Sequence, residues 1–275
     1  MDRTQPGFPT LDLNVPSVAR MYDYLLGGKD HYAADRLACA ELLGLAPGIR
    51  AAVLHQRRFL ERAVRHLAAE AGVRQFIVFG AGIPARHNNV HEIAQEAEPR
   101  ARVVYVDNDP VVAAFGRKYL ERGERVAALR ADLRRPGEVF AHPRFRERID
   151  VELPAAVLLV SVLHCLPGPE GPREVVDALL DRLAPGSFAA ISQLASARER
   201  TRERVTRFMR ETAAEGFGDV RAPEEVAAFF GRLRVLPPGL GDVAGWRPDS
   251  DLLPRQCGGR SGEDLVEFGG VGRLP

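Results

Sequence analysis

Cysteine is scarce in this 275-residue chain: Cys39, Cys165 and Cys257 are the only three, widely separated and without a C-x-x-C pair. That spacing argues against a disulfide framework and a cysteine zinc site, and it suits a reducing compartment. Lysine is scarcer still, with only Lys29 and Lys118, although arginine brings the basic total to 38 against 37 acidic residues. A net charge of +1 leaves no excess positive potential to attract phosphates, so neither nucleic acid nor an anionic membrane surface is expected as a partner. Long apolar runs are also missing. The longest, Ala155 to Leu166, is 12 residues and contains Ser161 and His164, too short and too polar to span a bilayer. The opening MDRTQPGFPT has no apolar signal core, and a cytoplasmic protein is expected. The seven histidines show no metal-ligand spacing: His87 and His91 stand four apart but lack a third ligand, and no metal is expected. What remains, at 45% hydrophobic residues, is a chain able to bury a substantial core.

Residues 1–16 are proline-rich and aperiodic and read as a flexible arm. Ser17 is a candidate N-cap for a helix through Tyr22 and Leu25, stopped at Gly27-Gly28. Lys29 to Leu43 and Ile49 to Ala71 read as further helices, so residues 17–72 form a helical lid. From residue 73 the pattern changes. Phe76 to Phe79 is a short apolar run ended by Gly80, the pattern of a buried parallel strand. Strands expected at Arg102–Val106, Arg125–Leu129, Ala155–Leu163 and Phe188–Ser192 then alternate with helices at His91–Ala97, Pro110–Leu120 and Glu174–Leu183. This alternation implies right-handed crossovers and a parallel α/β sheet covered on both faces. Two more helices, Ala197–Ala214 and Pro223–Phe230, precede Leu233–Leu236 and Asp264–Phe268, two strands that read as an antiparallel edge hairpin.

The strongest local signal is Gly80-Ala81-Gly82-Ile83-Pro84-Ala85, formally G-x-G-x-x-A, directly after the first strand. Glycines there let the backbone bend sharply and let a ligand approach without meeting a Cβ. A plain βα turn of small residues is the competing explanation. Asp107 ends the second strand, 25 positions beyond Gly82, where a carboxylate can accept both ribose hydroxyls of an adenosine-containing ligand. Asp109, followed by Pro110, reads instead as an N-cap. Asp132 stands after the third strand, either as an acceptor for an adenine amino group or as a solvated loop residue. A nicotinamide dinucleotide needs amide donors for its pyrophosphate, and Pro84 removes one. An adenosylated sulfonium carries no phosphate and needs only ribose, adenine and amino-acid contacts.

The segments P-S-V-A-R-M-Y-D-Y-L-L-G-G-K-D (Pro16 to Asp30), V-V-Y-V-D-N-D-P (Val103 to Pro110), A-D-L-R (Ala131 to Arg134), L-L-V-S-V-L-H (Leu158 to His164) and F-G-G-V-G-R-L-P (Phe268 to Pro275) carry a resemblance over nearly the whole chain. It resembles a family of class I S-adenosylmethionine-dependent methyltransferases, found mostly in actinomycetes and long catalogued as a domain of unknown function. The resemblance implies a Rossmann-like fold with a seven-stranded, mostly parallel sheet, an antiparallel C-terminal strand and an N-terminal helical lid. It implies S-adenosyl-L-methionine as cofactor and a small-molecule acceptor. Position by position, Gly80 and Gly82 would lie beneath the cofactor's amino-acid portion, Asp107 on the ribose, Asn108 beside the adenine, and Asp132 and Leu133 flanking the ring. Ser161 and His164 would face cofactor and acceptor, and Tyr22, Tyr24 and Lys29 would cover the sulfonium end. One departure stands out: where the family places an acidic residue in its first strand to hold the cofactor ammonium, this chain has Val78.

Methyl transfer from a sulfonium needs an aligned nucleophile and exclusion of water rather than stabilisation of a leaving anion. His164 is the candidate base, with a buried structural histidine as the alternative. Tyr22 and Tyr24 are candidates for cation–π attraction, or else packing residues at helical spacing. Ordinary methyl transfer is the expected activity. The change at Val78 keeps open a sulfonium-using cyclase or lyase that releases methylthioadenosine, and a binding protein without turnover. A nicotinamide-dependent oxidoreductase ranks last.

Overall fold

The structure, a computed structural model, describes residues 12–166, 171–213, 217–248 and 265–275. Three helices, α1 (Val18–Leu25), α2 (Ala33–Leu45) and α3 (Ile49–Ala69), precede the first strand. Then β1 (Gln75–Phe79), α4 (Val90–Ala97), β2 (Arg102–Asp107), α5 (Pro110–Tyr119) and β3 (Val126–Arg130) build one half of the sheet. Two short helices, α6 (Pro136–Ala141) and α7 (Pro143–Arg146), lead to β4 (Ala156–Val160), α8 (Pro172–Leu180) and β5 (Phe188–Ala195). The chain ends with α9 (Glu199–Thr212), α10 (Pro223–Ala227), β6 (Arg234–Val235), β7 (Gly241–Asp242) and β8 (Val266–Arg273).

The seven-strand path runs β3-β2-β1-β4-β5-β8-β6, with β7 pairing β8 off that path. Pairings from β3 to β5 are parallel; β8 is antiparallel to β5, β6 and β7. This is the mostly parallel α/β architecture expected, with the antiparallel C-terminal strand in place. Every residue of β1, β4 and β5 is buried, as in a sheet covered on both faces. Alternate residues divide between two cores. Ile77, Val104, Leu129 and Leu159 pack with Phe145 and Leu179 on one face. Val78, Val103, Ala128 and Leu158 pack with Phe59, Val64 and Ile93 on the other. A third cluster joins α1, α2 and the start of α3 to Val205 and Met209 of α9.

Some boundaries differ from the sequence reading for local physical reasons. The second helix begins at Ala33 rather than Lys29 because Asp23 engages the preceding loop, accepting the Asp30 amide (2.8 Å) and binding His31 Nδ1 (3.1 Å). The last strand extends to Arg273 rather than ending at Phe268. Glycine disfavours strands in general, but at Gly269 a Cβ would sit 2.0 Å from the Ile191 carbonyl oxygen, so only glycine permits this close pairing with β5. Asp264 and residues 1–11 of the expected arm lie outside the described residues. The helices α6 and α7 are too short for a periodic pattern, and each is started by a proline at its first position.

Between β1 and β4 the direction of sheet progression reverses, because β2 and β3 lie to one side of β1 and β5 to the other of β4. The carboxyl ends of strands flanking such a reversal form a natural crevice. Here α1 and its following loop roof that crevice. No single helix among the described residues is long and apolar enough to cross a membrane.

Candidate active site

The crevice holds a cavity of about 1470 Å³, above the roughly 300–1,000 Å³ usual for small-molecule sites. Its floor is the turn after β1. Gly80 and Gly82 both take left-handed backbone angles, φ +65° and +64°. At Gly80 a Cβ would press to 2.4 Å from the Val162 side chain, whereas at Gly82 it would meet no protein atom within 4 Å. Gly80 therefore serves packing and Gly82 leaves ligand space. Helix α4 starts only at Val90, so no long-helix terminus abuts the glycine turn, and Pro84 offers no amide there. This is a poor pyrophosphate cradle.

Asp107, at the carboxyl end of β2, accepts the Gly82 amide (3.0 Å) and the Asp109 amide (2.9 Å). Burial pushes its carboxyl up to about 6, with those amides opposing the rise. Asp109 is the N-cap of α5, accepting from Val111 (2.7 Å), as its position before Pro110 indicated. Asp132 is bound bidentately by Arg134 (2.6 Å at the closer approach), whose hydrogen bonds hold its carboxyl below the usual range.

Gly80, Gly82, Asp107, Asn108, Asp132, Leu133, Ser161, Lys29 and Tyr22 all line this one cavity. Two expected residues do not. Tyr24 turns instead onto His31, ring centroids 5.0 Å apart, with the Arg50 guanidinium 5.7 Å above its ring. His164 is buried against Phe217, with centroids 5.2 Å apart and Nδ1 unpartnered. Burial, reinforced by Arg221, lowers its pKa to about 3. The expectation that His164 faces the acceptor is therefore corrected: β4 ends at Val160, and the short 3-10 turn at Leu163–Cys165 directs the imidazole into the core.

Other residues of this site escaped sequence reasoning. Gln56 of α3 faces the cavity and accepts the Tyr22 hydroxyl. Burial, then the Glu267 charge, pushes the Tyr22 phenol well above its ordinary range, so it stays protonated. Behind the cavity wall lies Glu267 of β8, fully buried, accepting the Ser161 hydroxyl at 2.6 Å. The available signal was an acid sharing a strand face with Gly269 and Val271, two and four residues on and therefore on the same side.

The cavity fits an adenosyl group with an amino-acid tail. Asp107 presents carboxylate oxygen to the cavity, Leu133 and Ile83 line it with apolar surface, and a Cβ at Gly82 would meet no protein atom within 4 Å. A doubly wound sheet closed by an antiparallel strand, with a glycine turn after β1 and a carboxylate ending β2, defines the Rossmann-like methyltransferase class. The S-adenosyl methyltransferase family profile matches residues 5–275, and the chain belongs to that family, whose cofactor is S-adenosylmethionine. A putative methyltransferase from Thermobifida fusca YX is similar at 39% identity and TM-score 0.87, covering 97% of each chain. A duf574 family protein from Streptomyces avermitilis MA-4680 is similar at 34% identity and TM-score 0.85, covering 96% of this chain and 99% of that one. These relatives agree with the actinomycete family that the sequence segments resemble. A curated relative, ribosomal RNA small subunit methyltransferase H of Heliobacterium modesticaldum, is 31% identical over 151 residues, 53% of this chain. The match spans 44% of that relative's length.

Proposed function

We propose that this chain transfers the methyl group of S-adenosylmethionine to a small-molecule acceptor held beneath α1 and its following loop. One observation carries this reading: a single roofed cavity, larger than common ligand sites, joins Asp107, the Gly80–Gly82 turn, Ser161 and Tyr22. When bound, S-adenosylmethionine supplies an electrophilic methyl on a sulfonium whose departure leaves a neutral thioether. Asp107 accepts the ribose hydroxyls, Asn108 lies beside the adenine, Asp132 and Leu133 flank the ring, and Gly82 admits the amino-acid portion. Tyr22 stays protonated on the cavity side of α1 and presents its ring and hydroxyl to the cationic end, and Lys29 closes the rim. Tyr24 acts by holding the lid through His31. With His164 buried away from the cavity, no imidazole base serves the acceptor. A cytoplasmic setting suits the free thiols of Cys39 and Cys165.

The roofed cavity and the net charge of +1 favour a small acceptor over RNA, although the curated relative is named for ribosomal RNA. The apolar Val78 in the cavity wall favours a second reading, an intramolecular cyclase or lyase. Incubation of the purified chain with S-adenosylmethionine and a panel of amine, phenol and carbon-acid acceptors separates them. Acceptor-dependent S-adenosylhomocysteine supports methyl transfer. Methylthioadenosine formed without an acceptor overturns it.

A further inference from the structure

Two carboxylates are fully buried among the described residues, Asp35 and Glu267. Asp35 meets the Arg20 guanidinium at 2.8 Å. No basic side chain pairs with Glu267 among the described residues. Its Oε1 accepts the Ser161 hydroxyl, while Oε2 faces the Ser192 hydroxyl without a hydrogen bond of good geometry. Buried acids without a cation are costly, and one placed behind a ligand cavity asks what charge it awaits.

Ser161 links the acid to that cavity. It lines the cavity wall and is held at φ +58°, a left-handed conformation uncommon for serine. Its amide is fixed on the Ser192 carbonyl at 2.9 Å, so the strained turn keeps the hydroxyl on Glu267. Tyr22 closes the same cluster from the lid, and the nearby β1 wall contributes only the apolar Val78 and Phe79. Strain retained at such a point is a mark of a functional constraint.

We propose that Glu267, acting through the Ser161 hydroxyl, is the counter-charge for the cationic amino-acid end of S-adenosylmethionine. It is a positioning residue that does not itself touch the ligand. This rests on the reading that the cavity binds S-adenosylmethionine.

Without a cation, burial raises the Glu267 carboxyl to about 7, opposed by the Ser161 and Ser192 hydroxyls. A positive group nearby favours the ionised form and expels the proton. The titratable groups facing it are Tyr22 from α1, Cys165 after β4 and Asp242 from β7. Burial pushes the Cys165 thiol up to about 12 and the Tyr22 phenol well above its usual range, so neither supplies that proton near neutrality. Asp242 adds negative charge, which deepens the need for a cation.

The test is calorimetric titration of the full chain with S-adenosylmethionine at about pH 7, in two buffers of different ionisation enthalpy. A carboxyl with a pKa near 7 is about half protonated there, so binding should release about half a proton. Glu267→Gln should bind with that release abolished. S-adenosylhomocysteine, which keeps the ammonium but lacks the sulfonium, identifies the cation: release with both ligands points to the ammonium, with S-adenosylmethionine alone to the sulfonium. Binding without proton release, or equal release from Glu267→Gln, overturns the counter-charge. Absence of any binding overturns the S-adenosylmethionine reading and this inference with it. Should Glu267→Gln fail to fold, infrared difference spectra of the wild-type chain serve the same end. Loss of a protonated-carboxyl band on ligand addition supports the proposal, and its persistence overturns it. Asp107, raised only to about 6, is mostly ionised at that pH and contributes little to the band.

Discussion

The Asp107 carboxylate accepts the Gly82 amide at 3.0 Å, tying the end of β2 to the turn after β1. One side chain thus fixes the shape of the floor and still faces the cavity. Asp107→Ala removes both functions. Hydrogen bonds to a charged group contribute roughly 1.5–3 kcal/mol, so the affinity for S-adenosylmethionine should fall by about tenfold to a hundredfold. Asp107→Asn keeps an acceptor and should lose less. Because the carboxyl is raised to about 6, wild-type affinity should also decline as pH drops through that value, a decline that Asp107→Asn abolishes in calorimetric titrations.

The two glycines of the turn should fail differently. A methyl group at residue 80 meets Val162 at 2.4 Å, so Gly80→Ala combines backbone strain with overpacking and should cost about 2–4 kcal/mol. At residue 82 the methyl meets open space, so Gly82→Ala should cost only about 1–2 kcal/mol from its positive φ. Its larger effect should be on ligand affinity. Denaturant melts paired with binding measurements would sort the two, and equal losses of stability would contradict the division of roles.

His164 presents the opposite case, a residue whose type suggests chemistry and whose surroundings deny it. Its ring lies against Phe217 and its pKa is lowered to about 3 by burial and by Arg221. A group depressed from about 6.5 favours folding above that value, and the benefit is lost as pH falls toward 3. His164→Leu fills most of the same volume without a titratable ring. It should bind S-adenosylmethionine within about twofold of wild type, given no contact with the cavity. A tenfold loss of binding would return His164 to the site.

These contrasts mark how far the sequence can be read. The parallel strands were legible because Phe76–Phe79 and Ala155–Val160 are continuous apolar runs, which burial on both faces requires. Asp107 and the glycine turn were legible because their spacing along β1 and β2 fixes where they meet. Side-chain direction after a strand end was not. Ser161 and His164 stand three positions apart, yet the left-handed Ser161 and the 3-10 turn beyond it aim one at the cavity and the other into the core. Glu267 was hidden for a different reason. Its partner Ser161 lies 106 positions away, and only the insertion of β8 beside β5 brings the two together.

Lid integrity should depend on a buried ion pair. Arg20 Nε meets Asp35 at 2.8 Å, and the same carboxylate accepts the amides of Ser17 (3.0 Å) and Tyr32 (2.8 Å). It therefore caps the entry to α1 and the start of α2 at once. Removing one partner strands a buried charge, a loss of about 3–5 kcal/mol. Asp35→Ala also frees two amides and should be worse than Arg20→Ala. Hydrogen exchange should show faster opening over residues 17–45 with little change in β1–β4, since the sheet has its own cores. Uniform loss of protection would show that lid and sheet unfold as one unit.

Glu267 should weaken the very fold that contains it. Burial lifts its carboxyl from the ordinary 4.5 to about 7. A group whose folded pKa is raised favours folding fully below its unfolded value, and that contribution is lost as pH climbs through the folded one. Between about pH 4.5 and 7 the ligand-free chain should therefore lose on the order of 3 kcal/mol from this residue alone. Glu267→Gln, which cannot ionise, should unfold at a higher temperature than wild type at about pH 8 and at nearly the same temperature at about pH 4.5. Adding S-adenosylmethionine at the higher pH should narrow the gap, because its cation stabilises the ionised wild-type carboxylate and has nothing comparable to meet in the variant. A variant uniformly less stable at both pH values would mean that the Ser161 hydrogen bond outweighs the charge, with Glu267 serving as a purely structural anchor.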